Sequence, residues 1–164
     1  QIDVGAVTID TEHEALYQTS GEVPAEMYTM PFGKAAIVRE GDDCTVVAFG
    51  QMVGRAAAAI DALAEEGITC DLIDPRTSSP LDTASILESV EATGRLVVVD
   101  ESPPRCGLTA DIAALAADRA FHSLKGPIKQ VCAPHSPTPF APELEAAYLP
   151  SVEKIIAAIR ATMA

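Results

Sequence analysis

Short runs of almost uninterrupted apolar residues alternate along this chain with stretches of helical periodicity. Four such runs cover residues 45–50, 68–73, 95–100 and 128–132. Strands that lack polar alternation are typical of a parallel sheet with helices on both faces. Consecutive parallel strands in one sheet are joined by right-handed crossovers. The pattern therefore predicts an α/β protein, a three-layer α/β/α sandwich. At 164 residues and 48% hydrophobic composition, one domain with a sizeable core is expected.

The stretches between the strands have the spacing and the end signals of helices. Residues 53–64 repeat apolar side chains at i, i+3, i+4 and i+7, and Gly67 stops this helix. A second helix is predicted over 83–93, capped by Asp82 or Thr83 and followed by Gly94. The third carries an apolar face of Leu108, Ile112 and Leu115. The fourth begins at Ser151 with Val152, Ile155, Ile156, Ile159 and Met163 inward.

Two regions at the borders of this pattern need separate interpretation. Residues 35–40 and the turn formers 41–43 predict a strand that turns back on 45–50, giving about five strands, mostly parallel, with one antiparallel edge strand. Residues 11–32 lack clean periodicity, so we expect an extended entry segment. Pro134, Pro137, Pro139 and Pro142 are incompatible with a ladder or a helix interior, which predicts an extended surface loop.

The charge balance limits the classes of partner. Lys and Arg number 11 against 24 Asp and Glu, so the formal net charge is −13. This charge repels nucleic acid and anionic membrane surfaces and attracts a basic partner. No apolar run reaches the length of a bilayer span and no signal-peptide pattern opens the chain, so we expect a cytoplasmic protein. The four dispersed cysteines include no C-x-x-C pair, which favours structural thiols.

Polar residues collect at the predicted strand ends, where open parallel sheets bind ligands. Gly50 and Gly54 flank a strand-to-helix turn that could bind an anion, although a plain tight turn explains them better. Asp74 with Arg76 could contact a ligand or brace their own loop. Asp100 with Glu101 could serve acid/base chemistry, cap neighbouring backbone, or lie at a subunit contact.

No complete catalytic constellation is predicted. His13, His122 and His135 lack metal-ligand spacing, and no G-x-S-x-G elbow is present. Cys106 stands next to Gly107 ahead of a helix, where a thiolate could be favoured, but nothing else converges on it. We therefore predict no catalytic, cofactor-binding or metal-binding residue in this chain.

Several blocks of sequence together resemble one domain of a known family. The most informative block is 70–82, in which an apolar strand runs into a charged loop bracketed by Pro75 and Pro80. The other blocks are Pro31-Phe32-Gly33-Lys34-Ala35, Val38-Arg39-Glu40-Gly41, Gly94-Arg95-Leu96-Val97-Val98-Val99-Asp100-Glu101 and Ala133-Pro134-His135-Ser136-Pro137-Thr138-Pro139-Phe140. From about Thr11 onward the chain resembles the C-terminal domain of the beta subunit of thiamine-diphosphate-dependent 2-oxo acid dehydrogenases.

This resemblance implies a particular division of labour. In such enzymes the diphosphate and magnesium are held by a domain marked by Gly-Asp-Gly and asparagines, and a pyrimidine-binding domain supplies a glutamate. This chain has neither a Gly-Asp-Gly nor any asparagine. The resemblance therefore implies thiamine diphosphate and magnesium in the parent enzyme only, and an inactive isolated chain. Residues 1–33 would be a linker from a missing N-terminal pyrimidine-binding domain, and 34–164 the transketolase C-terminal-like domain.

The resemblance also implies partners. They would be the alpha subunit, a second beta subunit about a two-fold axis, and the subunit-binding domain of the lipoyl acyltransferase. Acidic groups near the last helix are the candidate docking residues: Glu143, Glu145, Glu153 and the terminal carboxylate of Ala164. His135, where many members have aspartate, favours a branched-chain or acetoin-type enzyme over a pyruvate one. Two alternatives remain open, a free-standing small-anion-binding or interaction module and a transketolase-like C-terminal domain.

Overall fold

The structure is a computed structural model that describes residues 9–164. Residues 1–8, part of the predicted linker, lie outside the described range. In chain order the elements are β1 (Ala36–Arg39), β2 (Cys44–Ala48), α1 (Gln51–Ala64), β3 (Cys70–Asp74), α2 (Thr83–Thr93), β4 (Leu96–Val99), α3 (Leu108–Arg119), β5 (Lys129–Val131), α4 (Pro142–Tyr148) and α5 (Val152–Met163), with short 3-10 helices at Glu14–Leu16 and Phe121–Ser123.

The strands form one five-stranded sheet between two layers of helices. The strand order is β1-β3-β2-β4-β5, and only β1 runs antiparallel to its neighbour. Helices α1 and α5 bury Met52, Leu63 and Ile155 against one face. Helices α2 and α3 bury Ile86 and Ile112 against the other. The predicted α/β/α sandwich with one antiparallel edge strand is therefore confirmed.

The partner of the edge strand differs from the prediction. Strand β1 pairs with β3, not with β2, so β3 lies between the two strands that the sequence predicts as a hairpin. The turn after β1 is bound to the start of β3: Gly41 donates its N–H to the Asp71 carboxylate, and Asp43 donates its own to the Thr69 carbonyl. With these bonds the chain crosses the beginning of β3 before it enters β2. Strands β1 and β2 are therefore not adjacent and do not form the predicted hairpin.

A short helix, α4, begins at the last residue of the region predicted as an extended loop. Pro142 occupies the first turn of α4, where the missing N–H costs nothing. The loop predicted over 134–142 is irregular up to Ala141, and the prediction is wrong only at Pro142, where the helix begins. Tyr148 is buried at the end of α4, and its hydroxyl donates to the Ser136 carbonyl at 3.0 Å. This bond ties α4 to the proline-rich loop.

The strand order creates a crevice at one edge of the sheet. From β2 the chain crosses through α1 to β3 on one side, and α2 then returns it to β4 on the other side of β2. The helices at this point leave from opposite faces, so the carboxyl ends of β2 and β4 are not covered. Such a topological switch point is where open α/β sheets bind ligands.

Buried hydroxyls beneath α2 form a connected hydrogen-bond network. The Thr45 hydroxyl lies 2.6 Å from that of Ser89 and 2.9 Å from that of Thr93. Ser89 in turn donates to Asp71 Oδ2 at 2.5 Å. The network satisfies polar groups inside the helix–sheet interface, where an unpaired group would be costly.

Replacing Ser89 with alanine should therefore lower the free energy of unfolding by roughly 1–3 kcal/mol, because the Thr45 hydroxyl and Asp71 each lose a buried partner. Chemical denaturation would measure the change. The exposed residue Glu88 on the same helix, changed to alanine, is the control and should have little effect. Equal stability of Ser89→Ala and the control would contradict a stabilising network.

Candidate functional site

Five of the six predicted strand-end residues lie around one cavity at the carboxyl edge of the sheet. This cavity of about 710 Å³ is lined by Gly50, Asp74, Arg76, Asp100 and Glu101, and the linker closes part of it. Gly54 is not in its wall; it lies exposed on α1, and a Cβ added there would have nothing within 4 Å. The strand ends thus meet as expected, while their role as ligand or interface residues stays a prediction.

The Gly50 turn connects β2 to α1 with a backbone that favours glycine. Its φ is +52°, and no side chain caps the first turn of α1. A side chain here would also point toward the linker, since a Cβ would come 3.8 Å from His13 Cδ2. The turn therefore allows the linker to approach the carboxyl ends of β2 and β4 closely.

Asp74 and Arg76 form a backbone brace. Asp74 Oδ1 accepts the Arg76 N–H at 3.0 Å, which is the loop-bracing alternative predicted from the sequence. Arg76 has a φ of +60° and an exposed side chain in the cavity wall. The brace holds the loop after β3 and leaves the guanidinium at the cavity.

Asp100 and Glu101 have separate partners. Asp100 accepts the Glu101 N–H at 2.8 Å and the Ser102 hydroxyl at 2.5 Å, so it caps its own loop. Glu101 Oε2 instead contacts His13 Nε2 at 2.8 Å, while its Oε1 is buried without a partner. The carboxylates of Asp100 and Glu101 are therefore not arranged as a catalytic acid/base pair. Instead, Glu101 connects the end of β4 to the linker through His13.

His13 also lies at this edge, although the sequence analysis did not predict it as a site residue. In the sequence it is one of three scattered histidines, yet in the fold it joins Glu101 across 88 positions of sequence separation. It also borders both cavities at the edge. Only its position two residues after Thr11, where the family-like sequence begins, hinted at a role.

Within residues 9–164, no group of three or more His, Cys, Asp or Glu side chains is arranged to hold a metal ion. The motifs that carry diphosphate and magnesium in thiamine enzymes are also missing from the sequence. The residues of this chain therefore do not fit that cofactor. No helix in the described range has both the length and the apolar character needed to cross a membrane.

The four cysteines differ in burial, and only two of them belong to the core. Cys44 and Cys70 are buried side by side in register on β2 and β3. A hydrogen bond with Cys44, together with burial, raises the pKa of the Cys70 thiol. Burial raises the pKa of Cys132. Cys106 is exposed, at a φ of +56°.

The four candidate docking groups do not form one patch. Glu143 and Glu145 are exposed on α4, and Glu153 is exposed near the start of α5. Ala164 follows the other end of α5, roughly 17 Å away along a helix of this length. Arg160, which would oppose an acidic surface, is paired with Glu66 at 2.6 Å. Of the four groups, the three glutamates thus lie on α4 and in the first turn of α5, and the terminal carboxylate lies apart from Glu153.

The layered sheet and its uncovered carboxyl edge define a doubly wound α/β domain. Residues 33–155 match the sequence model described as the C-terminal domain of transketolase. The chain belongs to the family of transketolase C-terminal domains.

Relatives with this domain include beta subunits of oxidoreductases. The acetoin:2,6-dichlorophenolindophenol oxidoreductase subunit beta of Cupriavidus necator is 54% identical over 152 residues, which cover 93% of this chain and 45% of that protein. The pyruvate dehydrogenase E1 component subunit beta of Bacillus subtilis is 40% identical over 150 residues, covering 91% and 46%. The predicted family is confirmed. The chain spans less than half the length of these curated relatives.

A solved structure supports the fold. A split gene transketolase, described as an inactive beta4 tetramer, superposes with a TM-score of 0.73 at 25% sequence identity. The match covers 87% of this chain and 45% of that chain.

Proposed function

We propose that this chain is the assembly and partner-docking domain of the beta subunit of a thiamine-diphosphate-dependent 2-oxo acid dehydrogenase. The parent enzyme would decarboxylate a 2-oxo acid oxidatively and transfer the acyl group to a lipoyl acyltransferase. Among branched-chain, acetoin and pyruvate types, an acetoin-type enzyme has the best support, because identity to the acetoin relative is 54% against 40% for the pyruvate relative.

The observation that carries the proposal is the apolar surface of the linker. Exposed apolar side chains gather at 16–32, where Met27 is 99% exposed, Val23 79% and Tyr17 62%. Phe140 and Leu144 add a second exposed apolar group beside α4. Contiguous apolar surface on a soluble domain marks contacts with other protein. Such contacts fit a domain whose neighbours are the rest of its own subunit, the alpha subunit and a second beta subunit.

The linker is nevertheless held against the domain at defined points. His13 binds Glu101, and Gly33 donates its N–H to the Thr77 hydroxyl at 3.0 Å. We infer that 1–33 connects a preceding pyrimidine-binding domain to the domain at 34–164. Thiamine diphosphate and magnesium would then be bound by the other domains of the parent, and a cytoplasmic location is expected. The isolated chain should be inactive.

The two alternatives have less support. A small-anion-binding module would need a cationic cavity, whereas the larger cavity has one guanidinium, that of Arg76, against the carboxylates of Glu12, Asp74, Asp100 and Glu101. A transketolase-like domain is consistent with the fold neighbour, but the relatives at 40% identity or more discussed above are named as dehydrogenase or oxidoreductase beta subunits.

Self-association is the first expected result. The purified chain should form a dimer at concentrations on the order of tens of micromolar, because isologous pairing buries the exposed apolar side chains. Light scattering after size exclusion would measure the mass. Changing Met27 and Phe140 to glutamate should shift the chain toward monomer. The matched control is Phe121→Glu, since Phe121 is 63% exposed but follows α3 at the opposite edge of the sheet.

A strictly monomeric wild-type chain would contradict the assembly role of this surface. Equal weakening by Phe121→Glu would also contradict it, because general loss of apolar surface would then explain the change.

Electrostatic docking of a basic partner is the second expected result. A double change of Glu143 and Glu145 to lysine should slow association with the cognate subunit-binding domain by roughly tenfold at low salt, with less effect on dissociation. The reason is that both side chains are exposed, so they act mainly on diffusional encounter. Surface plasmon resonance over a range of salt concentrations would measure both rates.

A double change of Glu88 and Glu91 to lysine is the matched control for charge, because it alters the net charge equally and both exposed residues lie on α2, on the opposite face of the sheet from α5. If association depends neither on salt nor on Glu143 and Glu145, docking at this surface is excluded. A rate that falls equally in the control would indicate a net-charge effect only.

A further inference from the structure

Two of the four cysteines are neighbours in the core. Cys44 is the first residue of β2 and Cys70 the first residue of β3, and the two are Cα partners in the parallel ladder between these strands. Both pack in the cluster beneath α1 and α5, so their side chains lie on the same face of the sheet. Adjacent strands lie about 4.8 Å apart, which is within the Cα separation that a disulfide spans.

The two thiols contact each other and differ in how readily they lose a proton. A hydrogen bond from Cys70 lowers the pKa of Cys44 against the opposing effect of burial, and Thr162 and Arg95 add smaller effects in the same direction as the bond. The same bond, together with burial, raises the pKa of Cys70. Since the thiolate is the nucleophilic form of cysteine, Cys44 is the nucleophile of the pair.

The end of α5 shields this pair from solvent. Cys44 is fully buried and Cys70 is 1% exposed. The hydroxyl of Thr162, in the last turn of α5, lies 3.8 Å from Cys44 Sγ, and Arg95 Nε holds this turn through the Thr162 carbonyl at 2.9 Å. Helix ends open locally more readily than a core unfolds. A small reagent therefore reaches the pair when this turn opens, and more slowly than it reaches the exposed Cys106.

We propose that Cys44 and Cys70 form a reversible oxidative modification site, at which hydrogen peroxide converts the two thiols to a disulfide between β2 and β3. The proposal rests on the strand register and on the burial of both thiols. It does not depend on the proposed enzyme.

The reaction has two steps. The Cys44 thiolate attacks one peroxide oxygen, the O–O bond breaks, and the departing oxygen leaves as water with the proton that Cys44 has lost. Cys44 is then a sulfenic acid. The Cys70 sulfur attacks the Cys44 sulfur, the S–O bond breaks, and the Cys70 proton leaves in a second water. The two thiols lose two electrons together, and one peroxide is reduced to two waters.

The disulfide would join the starts of two central strands. It would close the chain from 44 to 70 into a loop that contains α1. A cross-link of this kind restricts the unfolded chain and stabilises the fold when native geometry accommodates it. The oxidised chain should therefore unfold at a higher denaturant concentration than the reduced chain.

The test uses the full chain with Cys106→Ser and Cys132→Ser, which removes the other two thiols. The folded protein is treated with hydrogen peroxide and then denatured in iodoacetamide for intact mass and peptide mapping. The expected product has lost two hydrogen atoms, carries no alkyl group, and gives one cross-linked peptide that contains Cys44 and Cys70. Dithiothreitol should restore two alkylatable thiols and return the unfolding midpoint to its original value.

Cys44→Ala and Cys70→Ala in the same background are the matched controls, because each leaves one buried thiol without its partner. The remaining thiol should react severalfold more slowly with peroxide than the pair does. Equal rates in the pair and in both controls would overturn the proposal, since the thiols would then act independently.

Two results on the paired chain would also overturn the proposal, whether or not the alanine variants fold. One is the retention of two alkylatable thiols under conditions that fully oxidise Cys106 in the wild type. The other is a lower unfolding midpoint after oxidation, because the strand geometry would then not accommodate the bond.

Discussion

Changing Gly41 to alanine should lower the free energy of unfolding by about 3 kcal/mol or more. A Cβ at this position would collide with the backbone at the start of β3, lying 2.5 Å from Thr69 C and 2.7 Å from Cys70 C. These are backbone atoms of an interior strand, which is paired on both sides and has no room to move. Movement of the turn instead would break the bond from Gly41 N to Asp71.

Gly54→Ala is the matched control for this prediction. Nothing lies within 4 Å of a Cβ there, and the residue is in the interior of α1. Alanine should therefore stabilise the protein by up to about 1 kcal/mol through helix propensity. Denaturant unfolding of both variants measures the contrast. If Gly41→Ala is as stable as the wild type, the turn does not cross β3 as the structure describes.

The same turn explains how far the sequence could predict the fold. Hydrophobic runs and helix caps are local signals, and they located all five strands, α1, α2, α3 and α5. Pairing is not a local signal. In the sequence Gly41 resembles an ordinary turn glycine. Only the position of β3 reveals that the backbone at Gly41 lies very close to the backbone of Thr69 and Cys70. Likewise, a proline such as Pro142 is compatible both with a loop and with the first turn of a helix. Here the burial of Tyr148, a contact that the sequence does not reveal, accompanies the helix.

The candidate site was predictable to a similar extent. Parallel strands bring their carboxyl ends to one edge, so strand ends can be located from the sequence, and Gly50, Asp74 and Glu101 line one cavity there. The contact of His13 with Glu101 was not predictable, because an irregular linker has no periodicity that would fix its path. The orientation of the Glu101 carboxylate depends on that contact.

Asp82 joins the edge strand to the helix layer through one carboxylate. Its Oδ2 accepts the Ala35 N–H at 3.0 Å and the Ser85 hydroxyl at 2.9 Å, and its Oδ1 caps α2 through the Ser85 N–H. The side chain is buried, with 5% exposure. The bond from Ala35, followed by those from Ser85, holds the pKa of this carboxyl below its usual value against the opposing effect of burial.

Replacing Asp82 with alanine should cost roughly 2–4 kcal/mol, because the cap of α2 and a charged bond to the segment entering β1 are lost together. Asp82→Asn should cost less, since asparagine caps helices well, but its amide NH₂ has to face one of the three donors. Chemical denaturation near neutral pH would rank the variants. Equal stability of all three proteins would contradict the connecting role of Asp82.

The lowered pKa of Asp82 also predicts a pH dependence with a definite sign. A carboxyl whose folded-state pKa lies below its unfolded value of about 3.9 stabilises the fold fully above that value. This stabilisation is lost as the pH falls through the lower, folded-state pKa. The stability difference between wild type and Asp82→Asn should therefore be constant from neutral pH to about 5 and shrink below about 4. Asp61→Asn is the control, because the pKa of Asp61 is also lowered, by its bond to Arg39, but both partners are exposed and screened by solvent. Unfolding curves at several pH values would give the differences; a gap that widens on acidification would show that the Asp82 carboxylate is destabilising in the fold.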